Sequence, residues 1–254
     1  MVEQVVAAFT KRTDKIKETD KNKIINIAEF FTDTIQGEGI NIGHPATFIR
    51  VQNCTLNCVW CDTTEVWRQG NPYSIDEIIQ LMEKHDIIYK LKSGQHLILT
   101  GGSPLLYQNQ FVYLINKIKE KYNFKPYIEV ENECTIMPTK EFTNIIDCWN
   151  NSPKLSNSGM KLELRKKMNV IDYLLEQKNS WFKFVVNNEN DWKELQKTYK
   201  IPYNKLDRII LMPEGQTREE LQKNYETVVT LGIKHNLKIC DRFHVTIWNK
   251  KVGV

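Results

Sequence analysis

The chain has 254 residues, enough for one large α/β domain with its own core. Hydrophobic residues make up 41% and charged residues 26%, and the formal net charge of +4 is too mild to mark a nucleic-acid surface. Six cysteines with no signal-like apolar run and no membrane-length segment exclude a secreted disulfide scaffold, so the expectation is a cytoplasmic protein with reduced thiols.

Residues 1–23 are polar and lysine-rich. They read as an extension, helical if ordered, outside a catalytic domain of residues 24–254. An apolar, extended segment at 24–31 runs into Ile35-Gln36-Gly37-Glu38-Gly39, where two glycines around a glutamate imply a sharp turn close to a ligand. Residues 46–51 form a short strand rich in β-formers that delivers Arg50. The loop that follows carries Cys54, Cys58 and Cys61 in a C-x3-C-x2-C spacing, with Trp60 before the third cysteine and Thr63 two residues after it.

Ser74 and Glu77 make a capping box for a helix to about residue 84. A strand at 96–100 ends in Thr100-Gly101-Gly102-Ser103-Pro104, and Pro104 starts a helix to about 122. The alternation continues with a strand at 126–131 ending in Glu131-Asn132-Glu133-Cys134, a helix at 139–145, and a strand to 149 ending at Ser152-Pro153-Lys154. A helix at 168–177, a strand at 181–186 and an Asn188-capped helix to 199 come next. The last elements are a strand at 208–212, Met212-Pro213-Glu214-Gly215, a Thr217/Glu220-capped helix to 235 and a strand at 237–240. About six βα units predict an open parallel sheet with outer helices, an incomplete (β/α) barrel. In such sheets ligands bind at the carboxyl ends of the strands, where every polar motif above falls.

Three cysteines on one short loop can converge on one centre. Structural zinc takes four Cys/His ligands, whereas a four-iron cluster held by three cysteines leaves one iron open. The loop resembles that of the radical S-adenosylmethionine (SAM) superfamily, which implies a 4Fe–4S cluster on Cys54, Cys58 and Cys61 with SAM on the open iron. Ser103 stands where that superfamily usually has glutamate. A water or a backbone carbonyl is therefore expected to serve the SAM ammonium group.

Gln36 to Gly39, 45–50, Cys61-Asp62-Thr63, Ser152-Pro153-Lys154 and Arg242-Phe243-His244 occur together and in order. From about residue 27 to the C-terminus the chain thereby resembles 7-carboxy-7-deazaguanine synthase of the queuosine pathway. The resemblance implies conversion of 6-carboxy-5,6,7,8-tetrahydropterin to 7-carboxy-7-deazaguanine by ring contraction with loss of ammonia. It implies Mg²⁺ at Thr63, and substrate contacts from Ile35, Gln36, Gly37, Glu38, Arg50, Thr100 and the C-terminal Val254. For SAM it implies Gly102, Ser103, Glu131, the turn Ser152, Pro153 and Lys154, and the segment Met212, Pro213, Glu214 and Gly215. It also implies a homodimer; the chemistry calls for an electron donor such as a flavodoxin or ferredoxin, and the mild charge and absence of a membrane-length segment lead to the expectation of no nucleic-acid or membrane partner. Cys134, where the family has glycine, reads as a small buried hydrophobe. His244 is read equally well as structural or catalytic.

Two other readings share the cysteine loop. A glycyl-radical-enzyme activase gives no reason for Gln36–Gly39 with Thr63. A zinc-dependent nucleic-acid-binding module predicts a colourless protein with one bound zinc.

Overall fold

The computed structural model describes residues 2–254. Ten strands form one sheet: β1 (Glu3–Val6), β2 (Ile24–Ile35), β3 (Pro45–Val51), β4 (Asn71–Ser74), β5 (His96–Gly101), β6 (Ile128–Asn132), β7 (Cys148–Asn151), β8 (Ser180–Val186), β9 (Ile209–Pro213) and β10 (Lys238–Ile239). The order is β1-β2-β3-β5-β6-β7-β8-β9-β10, with β4 also on β2. From β3 to β10 all pairs are parallel, while β2 is antiparallel to β1, β3 and β4. The fold is mixed α/β around a largely parallel, open sheet.

The helices are α1 (Thr64–Trp67), α2 (Ile75–Lys84), α3 (Ile87–Lys92), α4 (Gln108–Tyr122), α5 (Lys140–Ile145), α6 (Leu162–Arg165), α7 (Met168–Leu175), α8 (Glu189–Tyr199), α9 (Arg218–His235) and α10 (Phe243–Trp248). Both capping boxes form as their spacing predicts, Ser74 with Glu77 and Thr217 with Glu220. Asn188 caps α8 by accepting from Asn190 and Asp191. Pro104 opens a short 3₁₀ turn, Pro104–Tyr107, before α4 begins; Tyr107 marks the change of pitch. No described helix is long and apolar enough to cross a membrane.

Side-chain alternation along the strands sorts the two faces of the sheet. Ile49, Val51, Leu97, Leu99, Val130, Phe182, Phe184 and Leu211 join the main apolar cluster with the helices. The intervening positions hold Arg50, Thr100, Glu131, Lys183 and Met212, all of which border one cavity on the other face. Strand register places Arg50 beside Thr100 and Glu131 beside Asn150. The polar row is thus a direct consequence of period-two patterning in strands that otherwise read as apolar.

Among the described residues the N-terminal extension has no α-helix, only a 3₁₀ turn at Lys21–Lys23. Glu3–Val6 is a strand that pairs with Phe30–Thr32 of β2, because Gln4-Val5-Val6 offers an extended, β-branched edge to an otherwise open strand. Arg12 then returns to the body through Glu77 and the carbonyl of Pro72, at 2.7 Å. Beyond β10 the tail forms the helix Phe243–Trp248.

Candidate active site

The cysteine loop leaves β3 through Asn53, whose φ is +73°. Its backbone is clamped on two sides: Asn53 N–H donates to Trp67 O at 2.9 Å, and Ser103 N–H donates to Asn53 O at 2.9 Å. Gly102 makes this clamp possible. A Cβ there would lie 2.1 Å from Asn53 O and 2.7 Å from the Cβ of Cys54. Gly102 therefore admits the cysteine loop itself, while Gly101 lies against Val51 of β3.

Cys54, Cys58 and Cys61 are half-buried and border a cavity of about 190 Å³ at the carboxyl ends of the parallel strands. Burial pushes the Cys58 thiol up to about 11 and raises that of Cys54. N–H groups already face two of the sulfurs: Leu56 N–H on Cys54 Sγ at 3.4 Å and the Trp67 indole on Cys61 Sγ at 3.5 Å. Such donors stabilise thiolates bound to iron. Among the described residues no three His, Cys, Asp or Glu side chains are tight enough for a single metal ion. Three thiols around a cavity, with hydrogen-bond donors on the sulfurs, fit a cluster.

The turn after β2 forms a second wall. Gln36 exchanges backbone bonds of 2.7 Å with His44 and Gly43, and Ile35, Gln36, Gly37 and Glu38 all border the cavity. Gly37 has no room for a side chain, since a Cβ would meet His244 Nδ1 at 2.1 Å. The N–H of Phe243 donates to Gly37 O at 2.8 Å, so α10 is fastened to the turn.

Charge is concentrated here. Glu38 takes Lys183 on Oε2 and Arg242 on Oε1, the latter at 2.9 Å. Arg242 also binds Asp62 and donates to Gly215 O at 2.5 Å. One guanidinium thus ties the turn, the cysteine loop and the β9 exit together. Burial alone would raise the Glu38 carboxyl; the flanking Lys183 and Arg242 reverse this and hold it well below its ordinary value. Asp62 is likewise lowered by Arg242 against the effect of burial. Burial lowers His244, and the Arg242 charge lowers it further, favouring a neutral imidazole. Arg50 pairs through Nε with buried Glu29 at 3.0 Å.

The structure brings most of the sequence-derived residues to this one cavity. Thr63, Arg50, Thr100, Gly102, Glu131, Ser152, Lys154, Met212–Gly215 and Val254 all border it. Two do not. Ser103 is fully buried behind the wall, its hydroxyl between Thr55 N–H at 3.0 Å and Glu133 Oε1 at 2.8 Å. Pro153 is buried and only shapes the turn between Ser152 and Lys154. Glu131 is held by the Thr100 hydroxyl at 2.8 Å. Glu38 is already paired, so it positions Lys183 and Arg242 in this structure.

Sequence reasoning overlooked Glu133, Lys183 and Arg242 as cavity residues. Lys183 carried a signal: it is the single charge within the apolar strand Ser180–Val186. Arg242 and Glu133 stood within motifs already noted, but their own roles were not legible, because Glu38 and Asp62 lie about 200 and 180 residues from Arg242 and Ser103 lies 30 residues from Glu133.

Residues 35–137 match the family described as "4Fe-4S single cluster domain", a stretch that contains all three loop cysteines. The 7-carboxy-7-deazaguanine synthase of Buchnera aphidicola is 30% identical over 233 residues, covering 84% of this chain and 95% of that protein. The chain belongs to the 7-carboxy-7-deazaguanine synthase family. The Pyrobaculum aerophilum member is 28% identical over 234 residues, covering 90% of this chain and 97% of its own. The crystal structure of QueE from Escherichia coli shares the fold, with a TM-score of 0.64 at 20% identity over 89% of this chain and all of that one. As a 7-carboxy-7-deazaguanine synthase family member the chain is a radical SAM enzyme that uses a 4Fe–4S cluster and SAM. Family membership sets aside the activase and zinc-module readings.

Proposed function

We propose that the chain converts 6-carboxy-5,6,7,8-tetrahydropterin to 7-carboxy-7-deazaguanine, with loss of ammonia. One observation carries this reading beyond family membership. Cys54, Cys58 and Cys61 share a single cavity with the Gln36–Glu38 turn, Arg50, Thr63 and Thr100. When bound, the cluster and SAM supply hydrogen-atom chemistry, and the protein orients the reacting atoms and keeps out water.

Cys54, Cys58 and Cys61 hold the cluster, and Ser152, Lys154 and Met212–Gly215 border the SAM side. The amide of Gln36 can donate to and accept from a pterin edge. Arg50, anchored by Glu29, presents a fixed cation for the substrate carboxylate. Thr63 offers a hydroxyl oxygen to Mg²⁺, a hard cation that prefers oxygen ligands. The C-terminal Val254 closes the substrate side.

The finer architecture is a partial barrel. Its support is the ion pair of Glu38, just after β2, with Lys183 on β8, strands well separated in the sheet order. Such a contact requires the sheet to curl. A homodimer on the family resemblance, a flavodoxin or ferredoxin donor on the chemistry, and a cytoplasmic location on the cysteine usage complete the proposal. We read residues 24–254 as the catalytic domain, with β1 as an added edge.

The reading is tested by anaerobic reconstitution. Brown protein with about four irons and acid-labile sulfide per chain, and reductive SAM cleavage, are the expected results. Colourless protein that binds zinc and leaves SAM intact would contradict it.

A further inference from the structure

Glu133 lies just beyond β6, 6% exposed, in the cavity wall. Its Oε1 is crowded with donors: the hydroxyls of Ser103 at 2.8 Å, Thr55 at 3.0 Å and Thr135 at 2.6 Å. Its Oε2 is buried and has no hydrogen-bond partner. Glu38 and Asp62 in the same cavity have Lys183 and Arg242 as counter-charges. Glu133 forms no ion pair among the described residues. A carboxylate at this depth is costly without a cation.

Its position indicates where such a cation would come from. The Ser103 hydroxyl spans Glu133 Oε1 and Cys54 Sγ, 3.6 Å away on the other side. The carboxylate is therefore one hydroxyl removed from the first loop cysteine. Lys154 borders the same cavity, and it too forms no ion pair among the described residues. Its ammonium is steadied by Ser152 Oγ at 2.9 Å and the Trp60 ring at 5.3 Å. Glu133 and Lys154 border the same cavity as Cys54. Glu131 and Glu214 also border the cavity without an ion pair among the described residues, but of the three only Glu133 has a buried carboxylate oxygen with no partner, and with Lys154 it offers the two charges that complement an amino-acid zwitterion.

We propose that Glu133 accepts the α-ammonium group of SAM while Lys154 pairs with its carboxylate. This rests on the proposed function, which places SAM beside the cysteine loop. It gives Ser103 a physical role: a short neutral donor orients Glu133, whereas a carboxylate at 103 would set a second negative charge against it. Ser103 and Glu133 thus act as one unit, with the carboxylate carried just after β6 and the hydroxyl just after β5.

The test is calorimetric titration of the anaerobically reconstituted holoenzyme with SAM and with its analogue lacking the α-amino group. Glu133→Gln is expected to weaken SAM binding about 10- to 100-fold and leave the deamino analogue unchanged, as befits loss of a charge-assisted bond. The signal of the reduced cluster in electron paramagnetic resonance should likewise respond to SAM in the wild type at concentrations that leave Glu133→Gln unchanged. Equal SAM affinity in wild type and Glu133→Gln would overturn the inference, because a neutral carboxyl that only closes the hydroxyl cluster is matched by the amide. Equal loss for both ligands would also overturn it. If Glu133→Gln fails to load iron, Glu133→Asp carries the test: SAM weakened more than the deamino analogue supports the inference, and unchanged SAM affinity overturns it. A wild type that loads its cluster but binds no SAM would instead sink the proposed function.

Discussion

The side-chain amide of Gln4 donates to the carbonyl of Gly253, joining the first strand of the sheet to the last residues of the chain. Val254 borders the active cavity, so β1 positions the chain end that closes it. Gly253 has φ +71°, and a Cβ there would strike Gln4 Nε2 at 2.2 Å and Glu29 Oε1 at 2.8 Å. Gln4→Ala should raise KM for the pterin several-fold with kcat little changed. Global stability should fall by only about 1 kcal/mol, the net worth of one hydrogen bond. Steady-state kinetics beside denaturant unfolding separates these effects; an unchanged KM would show that β1 does not hold the terminus.

Arg242 and Lys183 are buried around Glu38 and Asp62. Glu38→Ala strands Lys183 without its partner and should cost about 3–5 kcal/mol. The pH dependence follows from two carboxylates held below their ordinary values of 4.5 and 3.8. Between the folded and unfolded values the unfolded chain binds more protons, so stability rises with pH there. The contribution is complete above about pH 4.5 and is lost as pH falls through the depressed folded values. Urea unfolding of the metal-free chain across that range checks this. Equal slopes in wild type and Glu38→Gln would contradict it.

Cys54→Ala, Cys58→Ala and Cys61→Ala should each abolish SAM cleavage and lower bound iron. Cys134→Ala should keep both, because Cys134 is fully buried and does not border the cavity, and the bond its N–H donates to Asn132 Oδ1 at 3.0 Å is a backbone bond that alanine retains. Iron and sulfide content, with 5′-deoxyadenosine release, distinguishes the two groups.

Gly102→Ala tests the clamp on the cysteine loop. The new methyl would meet the backbone of Asn53, which cannot rotate away. Loss of cluster loading with the rest of the fold retained is expected, measured by iron content and far-ultraviolet circular dichroism. Full iron loading in Gly102→Ala would show that the loop can shift at no cost to the site.

The parallel sheet, both capping boxes and the cysteine loop were legible because each rests on local spacing. Strands 96–100 and 181–186 lie within β5 and β8. What escaped depends on contacts distant in sequence. β1 is a strand because β2 has a free edge there. β4, only Asn71–Ser74, contains a proline and pairs on that same edge. α10 has few helix signals, yet it is docked by Phe243 on Gly37. In the site, Arg242 meets Glu38 and Asp62 across about 200 and 180 residues, a meeting that no local pattern encodes.

The most direct test of the central claim is a reaction of the anaerobically reconstituted enzyme with 6-carboxy-5,6,7,8-tetrahydropterin, SAM, Mg²⁺ and reductant, followed by mass. The account predicts a product with the mass of 7-carboxy-7-deazaguanine and release of ammonia. SAM cleavage with the pterin left unchanged would contradict it.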